Sequence, residues 1–153
     1  MSKKAIGRIL TLCLLATFVA VAGAASTMAR TKGGGQARRK IMADKNFVLG
    51  IGQEGATADG KLKIKFLSVA EDSRCPKGVN CIWEGNARVV LEAGTSGGKA
   101  VKLELNTSPR EGAAGGEYGQ YLIKLVDVAP YPVEGQTNKP GNYTVTLVVS
   151  KKK

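Results

Sequence analysis

The chain has 153 residues, room for one domain of ordinary size, and its charge is uneven, with 23 Lys and Arg against 12 Asp and Glu. It contains no histidine, which excludes Ser–His and Cys–His nucleophile pairs, imidazole acid–base chemistry and metal sites built on imidazole. Its hydrophobic fraction of 43% and its 20 glycines are typical of a globular domain with many turns. Composition thus excludes classes of chemistry but indicates no activity.

The excess positive charge lies at the two ends of the chain. Residues 46–150 hold eleven basic and eleven acidic side chains, residues 1–45 hold nine basic and one acidic, and residues 151–153 are all lysine. Because a domain dedicated to DNA or RNA carries its basic surface on the fold, the neutral central region argues against specific nucleic-acid binding. The basic tails can contact anionic surfaces weakly, in a salt-dependent way.

Residues 1–29 show the three parts of a secretory signal peptide. Three basic residues within the first eight precede an uncharged run rich in Leu, Val and Ala at 9–25, and small residues suited to cleavage follow as far as Ala29. The run is long for a signal and short for a membrane span, so an N-terminal membrane anchor is the alternative. The basic residues that come next oppose translocation.

We predict that residues 30–45 are a flexible basic linker. Three consecutive glycines at 33–35 precede Arg38, Arg39 and Lys40, and the segment has no apolar periodicity. The alternative is a basic arm that docks on a polyanion.

Hydrophobic residues between 46 and 150 recur with a period of two, which predicts strands with one buried face. The predicted strands are 61–66, 87–93, 101–105, 121–128 and 143–149, with a short opening strand at 47–51. Glycines at 94–98 predict a hairpin, and those at 112–119 predict a flexible hairpin loop. The expected fold is all-β, a single antiparallel β-sandwich or small barrel over residues 46–150, followed by a basic tail at 151–153.

Two cysteines remain once a signal peptide is removed, and the turn-forming residues between them favour a disulfide from Cys75 to Cys81. Closing so short a loop would stabilise the fold by about 2 kcal/mol. Free or redox-active thiols and a metal site are the alternatives, but the spacing is not C-x-x-C, and Asp72 and Glu84 are the only further ligands nearby. We predict neither a metal nor a cofactor.

The single tryptophan, Trp83, follows the second cysteine by two residues and has two interpretations. The preferred one is an apolar plug over the disulfide, with Gly85 allowing the turn into the next strand. In the other, Trp83 is a stacking platform beside a polar cleft formed by Asp72, Arg74 and Glu84. Arg74 also suits an ordinary ion pair with either carboxylate.

The residues around the cysteines follow the pattern D-S-R-C-P-x4-C-x-W-x-G-x-A, from Asp72 to Ala87. This pattern resembles a signature of small, uncharacterised bacterial secreted proteins and lipoproteins, and a weaker similarity extends over residues 60–149. The chain lacks the lipobox of the lipoprotein members. The resemblance implies an exported β-domain and implies no activity.

We therefore expect a secreted or periplasmic, non-enzymatic β-domain that binds a protein or a cell-envelope component. Its site is expected in the loop 71–86, together with 106–112 and 130–132. One alternative is a small hydrolase that uses carboxylates such as Asp72 and Glu84. Another is an accessory protein held on an anionic surface by its basic segments, 30–45 and 151–153.

Overall fold

A computed structural model of the chain describes residues 38–152, which form two facing β-sheets. The strands are β1 Arg39–Ile41, β2 Asn46–Gly50, β3 Glu54–Thr57, β4 Lys63–Asp72, β5 Ala87–Gly94, β6 Val101–Asn106, β7 Gly115–Tyr118, β8 Tyr121–Ala129 and β9 Thr144–Lys151. One sheet has the order β1-β3-β4-β5-β6 and the other the order β2-β9-β8-β7. The predicted all-β fold is confirmed, and of its two forms the structure is the sandwich, since the sheets do not close into a barrel.

Antiparallel pairing connects the neighbours within both sheets, with β1 and β3 as the parallel exception. The hairpin predicted at 94–98 joins β5 to β6. A 3₁₀ turn, Pro140–Asn142, precedes β9.

The core lies between the inner faces of the two sheets. Every second side chain along a strand points into it. In β5, Ala87, Val89, Leu91 and Ala93 are fully buried. Inward residues on the other strands, or directly before them, complete the core: Ile41, Phe47, Leu49, Leu62, Ile64, Phe66, Leu105, Tyr121, Ile123, Val128, Tyr143, Val145, Leu147 and Val149.

A β-bulge explains why the alternation in β8 is irregular. Ile123 is buried and so is Val128, five residues later, which strict alternation forbids. The pairing with β9 shifts between Leu125 and Asp127, so one extra residue reverses the side-chain phase and turns Val128 inward.

The linker prediction for residues 30–45 is wrong at its C-terminal end. Arg39–Ile41 pair with Gly55–Thr57, and Ile41 is only 3% exposed. Ile41 packs against Gly55, where an added Cβ would lie 3.1 Å from its Cγ1. The basic segment thus holds one apolar side chain, Ile41, that anchors β1 on the sheet. Gly55 in β3 leaves room for this side chain.

Two further strands, β3 and β7, were not predicted. β7 lies within the glycine-rich segment 112–119, for which a flexible loop was expected, and pairs with β8. An added Cβ at Gly116 would lie 3.2 Å from Leu103 Cδ1, so this glycine lets β7 approach β6. At the C-terminus, Lys151 belongs to β9 rather than to a separate tail.

The signal peptide predicted at 1–29 and the linker up to residue 37 lie outside the described residues, as does Lys153. Between residues 38 and 152, no helix has the length and apolar character needed to cross a membrane.

Replacing Ile41 with Ala tests whether β1 belongs to the folded domain. We expect Ile41→Ala to lower the free energy of unfolding by about 2–4 kcal/mol, since it removes buried apolar volume. The neighbouring Met42, which is 50% exposed, provides the control, and Met42→Ala should change stability by less than about 0.5 kcal/mol. Urea denaturation measures both, and equal effects would show that β1 does not pack on the sheet.

Candidate binding site at the disulfide loop

The chain between β4 and β5, residues 73–86, is here called the disulfide loop. Its base continues the pairing of the two strands, because Ser73 N donates to Asn86 O (2.7 Å) and Cys75 N donates to Glu84 O (2.9 Å). Beyond this base, Cys75 and Cys81 form the predicted disulfide, with α-carbons 6.0 Å apart. The loop is thus closed twice, by backbone hydrogen bonds and by a covalent bond.

Gly85 is required where the loop returns to β5. Its φ is +71°, and a Cβ built there would lie 1.9 Å from the carbonyl oxygen of Ser73. Any side chain would both strain the backbone and break the close approach of the two loop arms. The predicted role of Gly85 in this turn is confirmed.

Arg74 and Asp72 form a buried ion pair at the base of the loop, with side chains 5% and 9% exposed. Arg74 Nε and Nη2 each donate to one carboxylate oxygen of Asp72 at 2.7 Å, a two-pronged geometry that suits guanidinium and carboxylate. Of the two predicted partners of Arg74, the structure selects Asp72.

The guanidinium also connects the two sheets. Nη1 donates to the carbonyl oxygen of Val128, and Nη2 to that of Pro130 at 2.9 Å. Arg74 follows β4 in one sheet, whereas Val128 and Pro130 lie at the end of β8 in the other. These charge-assisted bonds fix the end of β8 against the base of the disulfide loop.

Tyr143 completes the environment of Asp72, because its hydroxyl donates to Asp72 Oδ2 (2.9 Å). Burial opposes ionisation of Asp72, but the hydrogen bonds from Arg74 and Tyr143 outweigh it, and the pKa of Asp72 lies below its ordinary value. Burial, together with the hydrogen bond to Asp72, raises the pKa of Tyr143. Burial would lower the pKa of Arg74, but its bonds to Asp72 raise it, so the pair is ionised.

The predicted segment 130–132 does lie against the loop. Lys77 N donates to Pro132 O (2.9 Å), and Glu134 N donates to Lys77 O (3.2 Å). The Arg74 guanidinium carbon lies 4.9 Å from the centre of the Tyr131 ring, a cation–π distance.

The other predicted segment, 106–112, is attached to the loop by Asn86, a residue that sequence reasoning did not select. Asn86 Nδ2 donates to Asn106 Oδ1 (2.8 Å), and Asn86 Oδ1 accepts from the backbone amides of Thr107 (3.0 Å) and Ser108 (3.1 Å). Both asparagines are 6% exposed, so their polar groups need these partners. The sequence does contain a signal for this contact: Asn86 directly precedes β5, and Asn106 is the last residue of the neighbouring strand β6.

A cleft of about 190 Å³ lies between the disulfide loop and segment 106–112. Ser108 Oγ donates to Glu84 Oε1 (3.0 Å) and so fixes this carboxylate at the cleft. The residues that line the cleft are Glu71, Ser73, Trp83, Glu84, Gly85, Asn86, Ser108, Arg110 and Glu111.

The four predicted ligand-loop residues do not share one site. Trp83 and Glu84 line the cleft just described. Asp72 and Arg74 line a second, wider hollow, together with Tyr143. The polar atoms of Asp72 and Arg74 form hydrogen bonds with each other and with other residues of the fold. Their role in the structure is to hold the loop.

The preferred interpretation of Trp83 as a plug over the disulfide is wrong. Trp83 is 73% exposed and the preceding Ile82 is 93% exposed. The physical reason is that backbone pairing, Arg74 and Asn86 already secure the loop on both sides, so the disulfide needs no apolar cover. Stacking of a ligand on Trp83 stays a prediction.

Within residues 38–152, no group of three or more Cys, Asp and Glu side chains is arranged to hold a metal ion. Comparison with known proteins found no matching family model, no matching curated protein and no matching solved structure.

Removal of Arg74 tests its role as the connection between the sheets. We expect Arg74→Met to lower the free energy of unfolding by about 3–5 kcal/mol, because it leaves Asp72 buried without its partner. Arg88 is the matched control, since it pairs with Glu71 and Glu104 at the surface, and Arg88→Met should cost less than about 1 kcal/mol. Chemical denaturation compares them, and similar small losses would contradict the role of Arg74.

The depressed pKa of Asp72 predicts a specific loss of stability in acid. Its contribution is fully present above the ordinary carboxyl pKa of about 3.9 and disappears as the pH falls through the lower, folded value. In an NMR titration, the Asp72 carboxyl carbon should titrate below about 3.9, and Tyr143→Phe should move that titration upward by removing one hydrogen bond. Titration of the wild type at or above the ordinary value would contradict the observed hydrogen bonding.

Proposed function

We propose that this chain is an exported, non-enzymatic binding protein whose disulfide loop contacts a protein partner outside the cytoplasm. The observation that carries the proposal is the exposure of two adjacent large apolar side chains, Ile82 at 93% and Trp83 at 73%, on a cross-linked loop. Contact of such side chains with water is unfavourable. Most aromatic rings of residues 38–152 are instead buried in the core: Phe47, Phe66, Tyr121 and Tyr143.

The loop has the physical properties of a recognition element. Tryptophan is enriched among the residues that dominate protein interfaces, because it buries a large area with few rotatable bonds. Full burial of Ile82 in a partner contributes about 1.5–3 kcal/mol. Since the disulfide and the base hydrogen bonds fix the loop in advance, less conformational entropy is lost on binding.

Export is supported by three observations that point to the same compartment. The disulfide is compatible with an extracellular or periplasmic location. Residues 1–29 follow the pattern of a signal peptide, and the residues around the cysteines resemble those of bacterial secreted proteins.

The hydrolase alternative has little support from the geometry. Asp72 is held by Arg74 and Tyr143, and it lines a different hollow from Glu84. A general acid needs a raised pKa at neutral pH, whereas the pKa of Asp72 is lowered. A binding role requires none of these groups to react.

Contact of the basic C-terminus with an anionic surface is compatible with this proposal. Thr144, at the start of β9, pairs with Ala129 next to the Arg74 connection, whereas Lys151 pairs with Tyr121. Thr144 and Lys151 are seven residues apart along β9, and the rise of an extended strand places them about 23 Å apart. Lys151 and the disulfide loop therefore lie at opposite ends of the sandwich.

Capture of a partner from the natural compartment tests the proposal. The disulfide-bonded chain is immobilised through its C-terminus, which leaves the loop free, and compared with the double variant Ile82→Ser/Trp83→Ala. We expect a saturable partner that the double variant retains at least tenfold less, at unchanged Tm, because loss of two central apolar contacts costs 1.4 kcal/mol or more.

Val126 provides the matched control, since it is 52% exposed on β8, outside the loop. Val126→Ser should capture the same partner as the wild type. A partner retained equally by all three proteins, or the absence of any partner that distinguishes them, would overturn the proposal.

A further inference from the structure

The cleft beside Trp83 differs in charge from the rest of the protein. Three glutamates line it, Glu71, Glu84 and Glu111, against one basic residue, Arg110. Residues 46–150 carry eleven basic and eleven acidic side chains, so the cleft is a local excess of negative charge on a domain that is neutral in total.

Two of the three carboxylates are available to a ligand. Glu71 lies 3.8 Å from Arg88 and is partly neutralised by it. Glu84 is oriented by a neutral donor, the Ser108 hydroxyl, rather than by a cation. Glu111 is exposed at the edge of the cleft.

Trp83 lines the same cleft as these carboxylates and is exposed to solvent over most of its surface. The face of an indole attracts cations more strongly than any other side-chain ring. A cation over Trp83 would therefore be attracted by the ring and by Glu84 and Glu111 at once.

We propose that this cleft binds a positively charged side chain, an arginine guanidinium or a lysine ammonium, from a segment of the protein partner. The inference rests on the proposed function and specifies the chemical group that the partner presents. The volume, about 190 Å³, is below the range typical of small-molecule sites and suits one inserted side chain. The exposed Ile82 would contact the apolar part of the same segment.

Charge complementarity favours this occupant over others. The excess of carboxylates repels phosphate, sulfate and acidic peptides. A neutral glycan would use the indole but would gain nothing from the local negative charge. Because residues 46–150 are neutral in total, the domain as a whole does not attract a basic peptide, and binding of such a peptide requires a local site.

Direct binding of a basic peptide tests the inference. The probe is a fluorescently labelled decapeptide of alternating glycine and arginine, and the comparison peptide has citrulline, which is uncharged and of similar shape, in place of arginine. We expect saturable binding of the arginine peptide with a change in the fluorescence of Trp83, the chain's only tryptophan, and at least tenfold weaker binding of the citrulline peptide.

Variants that are expected to change the affinity for the arginine peptide in opposite directions test whether the peptide binds in the cleft. Glu84→Gln should weaken binding of the arginine peptide about threefold, and Arg110→Gln should strengthen it about threefold, since an exposed charge pair has effects of this size. Trp83→Ala should weaken it about fivefold through loss of the cation–π contact. Glu92→Gln, an acidic residue outside the cleft, should leave the affinity unchanged.

Three outcomes would overturn the inference: equal binding of the arginine and citrulline peptides, weaker binding by Arg110→Gln, or a response of Trp83 to a neutral oligosaccharide but not to the arginine peptide. The last would assign the cleft to a glycan. None of these outcomes affects capture of a partner that depends on Ile82 and Trp83, so failure of the inference and failure of the proposed function remain distinguishable.

Discussion

The buried ion pair between Arg74 and Asp72 is the constraint on which this end of the molecule depends. Two charges removed from water need partners for their hydrogen-bonding groups, and Arg74 finds them in Asp72 and in two carbonyl oxygens at the end of the opposite sheet. The same contacts that satisfy the charges therefore fix the end of β8 and the base of the disulfide loop relative to each other. A hydrophobic replacement could fill the volume but could not donate to those carbonyl groups.

A second polar network secures the opposite side of the loop and leaves its tip exposed. Asn86 joins the returning arm to segment 106–112, so both sides of the loop are held by hydrogen bonds to other parts of the fold. The disulfide then closes the distal part between Cys75 and Cys81. Ile82 and Trp83 follow directly and are mostly exposed to solvent, which is why we propose that they serve recognition rather than stability.

Sequence reasoning succeeded where burial has a regular period and failed where contacts are distant in sequence. The longer strands alternate clearly, as in Leu62 to Phe66 and Val145 to Val149, and the sequence therefore predicts them. Strands β1, β3 and β7 have three or four residues, mostly glycine, alanine or charged ones, too few for a periodic signal. The sequence predicts Trp83 as an apolar plug over the disulfide because its ring is large and apolar, and nothing local indicates that Arg74 and Asn86 already hold the loop. The pairing of Asn86 with Asn106 spans 20 residues and becomes visible only once β5 and β6 are adjacent.

Hydrogen bonds at its base and the disulfide hold the loop in one conformation before any partner binds. Native-state amide hydrogen exchange measures this directly at Cys75, whose amide donates to Glu84 across the loop, and at Lys77, whose amide donates to Pro132. A preorganised loop predicts that both amides exchange at least about 100-fold more slowly than in an unstructured peptide. Exchange at the unstructured rate at both positions, with the core strands still protected, would show a mobile loop and contradict the account.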